Sequence, residues 1–88
     1  MKEVEFVIGD PLGIHARPAG LLVKEAQRFE SEFLLTVERN GKSASLKKLL
    51  AVMGLGAKKG DRLKITIQGN DEQAAAKAIE RWMKEHLA

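Results

Sequence analysis

The spacing of the apolar residues switches repeatedly between the two-residue period of a strand and the roughly 3.6-residue period of a helix. Over the 88 residues, the switches predict the order β-α-β-β-α-β-α, with no internal repeat and no linker. A hairpin joins one pair of strands and helices join the rest. We therefore predict an α+β fold, in which helices cover one face of a mostly antiparallel sheet. A chain of this length forms one domain, which we place at residues 1–88.

Turn and capping residues set the expected limits of these elements. Asn40-Gly41 lies between two strand-like runs and predicts a two-residue type I′ turn, in which both residues have positive φ. Ser45 is a candidate N-cap for the second helix, Gly54 fits the C′ position after it, and Asp71 or the residue before it caps the last helix. The predicted strands cover residues 2–8, 33–39, 42–46 and 62–68, and the predicted helices cover about 16–29, 45–53 and 71–87.

The residues that face the core follow from the same periods. Those on the helical stripes are Ala19, Leu22, Val23, Ala26 and Phe29 in the first helix and Ala75, Ile79, Trp82 and Met83 in the last. The second helix breaks the pattern because residues 49–55 are apolar nearly all round. A two-turn helix on the surface of a small protein cannot bury every side. Some of its side chains therefore form an exposed patch of the kind that binds partners, unless the whole segment inserts into the core.

Composition excludes several classes of function. The chain has no cysteine, which removes disulfides and thiolate metal sites, and no apolar run approaches the roughly 20 residues that span a bilayer. We expect a cytoplasmic protein without membrane insertion, bound metal or cofactor. The net charge of +3 leaves open a basic nucleic-acid-binding module. The lysines are scattered, however, and the aromatic residues are three phenylalanines and one tryptophan, so we expect no nucleic-acid partner.

The stretch GIHARPAG, residues 13–20, places a histidine directly before a predicted helix. Proline is favoured in the first helical turn, so Pro18 indicates that His15 lies at or just before the helix N-terminus. There the unpaired backbone N–H groups and the helix dipole attract an anion, and the guanidinium of Arg17 suits phosphate. An imidazole nitrogen beside such a site predicts a histidine that carries a phosphoryl group. Spacing alone is more typical of a capping or surface histidine, which is our interpretation of His86 at the end of the last helix.

These residues match the active-site motif of a known family. Gly13 to Ala19, the Asn40-Gly41-Lys42 turn, the segment from Leu46 to Gly56 and Lys59-Gly60 resemble HPr, the histidine-containing phosphocarrier family of the bacterial phosphotransferase system. The resemblance covers essentially the whole chain and keeps the order of the elements. It implies an open-faced β-sandwich, in which three helices cover one face of a four-stranded antiparallel sheet with strand order 1-4-2-3.

The resemblance also implies a role for each residue of the site. His15 would accept a phosphoryl group on Nδ1 from phosphorylated Enzyme I and pass it to a histidine on a IIA domain, in phosphoenolpyruvate-dependent sugar uptake. Arg17 and the backbone N–H groups of Ala16 and Arg17 would hold the phosphate. The protein would be a monomeric carrier without a cofactor rather than a stand-alone catalyst. Both partners would dock on one patch formed by Gly20, Lys24, Leu49, Leu50 and Met53.

One position departs from the family pattern. Many HPr proteins have a serine at the start of the second helix, which a dedicated kinase phosphorylates, and here that position is Lys48. We expect no regulatory phosphorylation by that kinase, since Ser43 and Ser45 lie upstream in a strand. The same departure keeps two alternatives open. One is a carrier of the nitrogen-related branch, where the serine is commonly absent, and the other is a carrier that serves a dihydroxyacetone kinase.

Overall fold

A computed structural model describes the whole chain, Met1–Ala88, and contains the predicted order of strands and helices. The elements are β1 (Lys2–Val7), α1 (Ala16–Ala26), β2 (Glu32–Val37), β3 (Ser43–Ser45), α2 (Leu49–Met53), β4 (Arg62–Gln68) and α3 (Glu72–His86). The strands form a single antiparallel sheet in the order β1-β4-β2-β3, as the resemblance implied. None of the helices combines the length and the apolar character that crossing a bilayer requires.

The alternation of side chains along β4 explains why one face of the sheet is covered. Every second residue of this strand, centred on Ile65, is fully buried. Ile65 lies opposite Val4 of β1 and Leu35 of β2, which are also buried, so three strands present one apolar face to the helices. The opposite face is open to solvent and carries ion pairs such as Glu3–Lys64, whose charged atoms are 3.5 Å apart. The fold is therefore the predicted open-faced sandwich, with its core between the sheet and the helices.

The helices α1 and α3 supply the buried stripes that their periodicity predicts. The buried members are Ala19, Leu22, Val23 and Ala26 of α1 and Ala75, Ile79, Trp82 and Met83 of α3. The prediction that α1 reaches Phe29 is wrong, because the helix ends at Ala26. The hydrogen-bond spacing there changes from four residues to three, with the N–H of Phe29 donating to the carbonyl oxygen of Ala26. Lys47 Nζ then donates to the carbonyl oxygen of Phe29 at 2.7 Å, which fixes the turn before β2.

Asp71 lies at the N-cap position of α3, as predicted, but its carboxylate serves another segment. Its oxygens accept the backbone N–H groups of Glu30 at 2.8 Å and Ser31 at 2.9 Å, and the hydroxyl of Ser31 as well. These hydrogen bonds, chiefly the one from the Ser31 hydroxyl, hold the pKa of Asp71 below its ordinary value. The side chain thus joins the start of α3 to the turn that enters β2.

The predicted type I′ turn at Asn40-Gly41 is wrong. The N–H of Val37 donates to the carbonyl oxygen of Lys42 at 2.9 Å, so four residues, 38–41, form the loop. Only Gly41 has a positive φ, at 69°, since a loop of this length needs one left-handed residue where a two-residue turn needs two. Asn40 acts through its side chain instead. Its Oδ1 accepts the N–H of Lys42 at 2.9 Å, and its Nδ2 donates to the carbonyl oxygen of Leu55 at 3.0 Å.

The start predicted for the second helix is wrong, and Gly54 is its C-cap rather than the C′ residue, but the helix ends at Met53 as predicted. Ser45 does not cap α2, because it pairs with Leu34 as part of β3, and its hydroxyl accepts the N–H of Lys47 at 3.1 Å. The helix begins four residues later at Leu49 and has no side-chain cap. Gly54 closes it with a φ of −78°, and the left-handed residue is Gly56, with a φ of 67°. Pairing in the sheet keeps the chain extended through Ser45, so the predicted first residue of the helix belongs to the strand and the helix is shorter than predicted.

Candidate functional site

His15 occupies the N-cap position of α1. Its backbone is extended, with φ −107° and ψ −171°, and its carbonyl oxygen accepts the N–H of Ala19 at 3.0 Å. The imidazole is exposed and makes no hydrogen bond to the end of the helix that it precedes. Neither ring nitrogen is engaged in a hydrogen bond within the chain, so the imidazole is free to react with a group that approaches from solvent.

The first turn of α1 offers hydrogen-bond donors to an anion. The backbone N–H groups of Ala16 and Arg17 have no partner in the chain, and Pro18 has no N–H to offer. The turn contains no acidic residue, so the positive end of the helix dipole is not compensated. The guanidinium of Arg17 is exposed and forms no ion pair. The structure thus brings together His15, Ala16 and Arg17, as the sequence predicts.

The backbone before His15 rests on the loop that follows α2. The N–H of Ile14 donates to the carbonyl oxygen of Ala57 at 3.1 Å, and the side chain of Ile14 is buried. Gly13 has a φ of 65°, and a Cβ built on it would lie only 2.4 Å from that same carbonyl oxygen. Sequence reasoning missed this support. Gly13, the first residue of the motif, was the available signal, because positive φ and close backbone approach are common reasons for a glycine.

The patch predicted on the second helix is exposed. Leu50 has 82% of its surface accessible, and Leu49 and Met53 have 40% each. Val52 of the same helix is buried against the core, together with Leu55 just after it. Because α2 packs against α1, its exposed side chains lie on the helical side of the molecule, which also carries His15.

The two α1 residues assigned to the docking patch lie in different surroundings. Gly20 is half-buried with open space around it, so no side chain fills the surface there. Lys24 is exposed and lines an open groove of about 730 Å³ between α1 and α3, together with Leu21 and Trp82. This groove does not include His15. The residues at the α1 N-terminus that precede Gly20 are not part of this groove.

The other residues singled out from the sequence are Lys48 and His86, and neither lies beside His15 in the chain. Lys48, which the resemblance aligned with a regulatory serine, is exposed at the start of α2, and its side chain has no partner. His86 stacks on Trp82 with ring centroids 4.4 Å apart, and its Nδ1 lies 3.0 Å from the carbonyl oxygen of Trp82. No group of three or more His, Cys, Asp or Glu side chains is arranged to hold a metal ion.

Comparison with known proteins gives a consistent result across the chain. Residues 2–85 match the family model described as the PTS HPr component phosphorylation site. The chain is 40% identical over 86 residues to the phosphocarrier protein HPr of Mycoplasma pneumoniae, covering 98% of this chain and 97% of that protein. It is also 45% identical over 76 residues to the multiphosphoryl transfer protein of Salmonella typhimurium, covering 85% of this chain and 20% of that protein.

Solved structures agree with these sequence matches. A mycoplasma histidine-containing phosphocarrier protein superposes with a TM-score of 0.89 at 36% identity, covering 96% of this chain and 93% of that one. An HPr dimer from Thermoanaerobacter tengcongensis superposes with a TM-score of 0.72 at 35% identity, covering 97% and 95%.

Proposed function

The chain belongs to the HPr family of phosphocarriers of the phosphotransferase system, and on that premise we propose that it relays a phosphoryl group from phosphorylated Enzyme I to a IIA domain through a phosphohistidine at His15. The observation that carries the proposal is the exposed imidazole of His15 at the N-cap of α1, beside two N–H groups without partners. A nucleophilic nitrogen and a set of anion donors at one point are what phosphoryl transfer requires.

The transfer step needs no net proton movement. The lone pair on Nδ1 of neutral His15 attacks the phosphorus of the donor phosphohistidine, and a new P–N bond forms as the donor P–N bond breaks. The electron pair of the broken bond returns to the donor nitrogen, while Nε2 of His15 keeps its proton. The second transfer repeats this exchange with a histidine of the acceptor. The protein is therefore a carrier whose own residue is modified and regenerated, rather than a stand-alone catalyst.

The first turn of α1 stabilises the group in transit. The N–H groups of Ala16 and Arg17 point along the helix axis to where phosphate oxygens would lie, and the guanidinium of Arg17 adds a positive fork. The charge of a transferring phosphoryl group is spread over its oxygens, so preorganised donors lower the barrier for both transfers. The site is open, which allows the oxygens to be shared with donors from the partner.

One surface serves both partners in this proposal. The patch formed by Leu49, Leu50 and Met53, with Gly20 and Lys24 of α1, would dock Enzyme I first and a IIA domain afterwards. The exposed apolar side chains support such a role, because burying their surface against a partner would stabilise the complex. We propose that the protein acts as a cytoplasmic monomer.

The branch of the system depends on the acceptor. We propose sugar uptake driven by phosphoenolpyruvate as the primary role. Lys48 in place of the regulatory serine supports the nitrogen-related branch as the second candidate, since a lysine there cannot be phosphorylated by a serine kinase. A panel of purified IIA proteins from both branches, each tested as acceptor of labelled phosphate, separates the two roles.

A labelling experiment tests the phosphocarrier site itself. Incubation with Enzyme I and radiolabelled phosphoenolpyruvate should add one acid-labile phosphate per chain, and His15→Ala should abolish it. His86→Ala is the matched control, because it removes the only other histidine, which is stacked on Trp82. Full labelling of His15→Ala, or loss of labelling in His86→Ala alone, would contradict the assignment.

A further inference from the structure

Arg39 and Asp61 form a two-pronged ion pair between two loops. Arg39 Nε donates to Asp61 Oδ1 at 2.8 Å, and Arg39 Nη2 donates to Asp61 Oδ2 at 3.0 Å. Paired N–H···O bonds of this kind fix both distance and orientation. The Asp61 side chain is only 7% exposed, and Oδ2 also accepts the N–H of Lys58 at 2.8 Å. The hydrogen bond from Arg39, followed by that from Lys58, holds the pKa of Asp61 below its ordinary value.

The pair ties three segments to one point. Arg39 lies in the loop between β2 and β3, and Asp61 directly precedes β4. The same Nη2 of Arg39 donates to the carbonyl oxygen of Gly56, just after α2, at 2.9 Å. Asn40, in the same loop as Arg39, makes another hydrogen bond to this region, from its Nδ2 to the carbonyl oxygen of Leu55. The segment from Leu55 to Asp61 is therefore held at both ends by the hairpin loop.

This segment is the support on which the backbone before His15 rests. Ala57 lies inside it and accepts the N–H of Ile14, and the close approach at Gly13 involves the same carbonyl oxygen. Further along, Asp61 accepts the N–H of Ile8 at 3.0 Å through its own carbonyl oxygen. The imidazole of His15 makes no bond to the helix end, so its placement depends on this backbone.

We propose that the Arg39–Asp61 pair is a positioning device for His15. It holds Gly56 and Lys58 on either side of Ala57, whose carbonyl oxygen accepts the N–H of Ile14, and so directs the imidazole and the first turn of α1 toward an incoming phosphoryl group. Neither residue touches that group. The inference rests on the proposed function, since it concerns the geometry of that transfer. Removing Arg39 leaves the nearly buried carboxylate of Asp61 without its partner, which is the change expected to loosen the segment.

The experiment compares two arginine-to-alanine variants in single-turnover phosphorylation by phosphorylated Enzyme I. Arg39→Ala should lower the rate at saturating donor about tenfold, with KM changed by less than about twofold, because sub-ångström misplacement of a reacting group is costly. Amide exchange at Ile14 should accelerate in the same variant. Arg28→Ala is the control, since it removes an arginine ion pair on the exposed surface, in which Nη1 alone contacts both carboxylate oxygens of Glu25, and it should leave the maximal rate unchanged.

Two further variants keep the proposal testable if Arg39→Ala folds poorly. Arg39→Lys retains one charged hydrogen bond and should recover most of the rate, whereas Asp61→Asn should lower it as Arg39→Ala does. Equal maximal rates for the Arg39 and Arg28 variants would overturn the inference, and so would a loss confined to KM. If the wild type takes no phosphate on His15, the proposed function itself fails. Normal wild-type labelling with unaltered variant rates refutes only the positioning role.

Discussion

The N–H of Ile14 donates to the carbonyl oxygen of Ala57 at 3.1 Å, across the contact between the loop that ends in His15 and the loop that follows α2. Through this bond the geometry of the candidate site depends on a segment far away in sequence. Substitutions on either side of the contact are therefore expected to act on stability and on transfer together, whereas substitution of the exposed residues proposed for the site should act on transfer alone.

Gly13→Ala should destabilise the fold by about 3 kcal/mol, because it combines a positive φ with a collision against backbone atoms. The added Cβ would lie 2.4 Å from the carbonyl oxygen of Ala57 and 2.8 Å from the Cα of Lys58. Gly41→Ala is the matched control, since its φ is 69° but its surroundings are empty, and it should cost only about 1 kcal/mol. Urea unfolding of both variants measures the difference, and equal losses would contradict the close approach.

Arg17→Ala should slow phosphoryl transfer by about tenfold to 100-fold while leaving the free energy of unfolding within about 0.5 kcal/mol of wild type. The side chain is exposed and forms no ion pair, so the fold does not depend on it. Arg17→Lys should retain part of the rate, because it keeps the charge but loses the fork. The rates are measured by stopping the reaction with labelled phosphoenolpyruvate at set times and counting the label on the protein. An unchanged rate for the alanine variant would remove Arg17 from the site.

Leu50→Asp should raise the KM for Enzyme I at least about tenfold with little change in the maximal rate, because it puts a charge into the centre of the proposed docking patch. Stability should be unaffected, since Leu50 is 82% exposed. Leu34→Asp on the open face of the sheet, where Leu34 is 48% exposed, provides the control and should leave KM unchanged. If both variants dock equally well, the partners bind elsewhere.

Stability should fall at acid pH through Asp61. Its pKa is lower in the folded than in the unfolded chain, so its charged form stabilises the fold fully above the unfolded pKa of about 3.9. That contribution is lost as the pH falls through the lower folded pKa. Free energies of unfolding measured between about pH 2 and pH 7 should therefore drop less steeply for Asp61→Asn than for the wild type. Parallel curves would show that Asp61 does not contribute to the acid transition.

Local sequence patterns predicted the strands and helices, but not the turns and caps that connect them. The buried stripe of α1 follows from residue spacing, and the position of His15 follows from Pro18, because both depend on neighbours within a turn or two. The type I′ turn at Asn40 was wrong because the side chain of Asn40 bonds to Leu55, a contact between distant segments. The same holds for Ser45, which the sheet keeps extended.

Residue periodicity could not predict the strand order or the hydrogen bond between Ile14 and Ala57 either, because both depend on contacts between distant segments. Nothing in the alternation of β4 specifies that β1 and β2 are its neighbours, and the order 1-4-2-3 came from the family resemblance. Likewise, Ala57 is one small apolar residue among many in the sequence. Only the folded chain identifies its carbonyl oxygen as the acceptor for Ile14.

The shortness of α2 has a consequence for recognition. The helix has five residues and no side-chain cap, and Val52 is its only buried side chain. Elements with few buried apolar contacts are among those that open locally at free energies below that of global unfolding. Met53 adds an unbranched, polarisable side chain that can adapt its shape. In the proposed relay, such a surface would adapt its shape to two different proteins in succession.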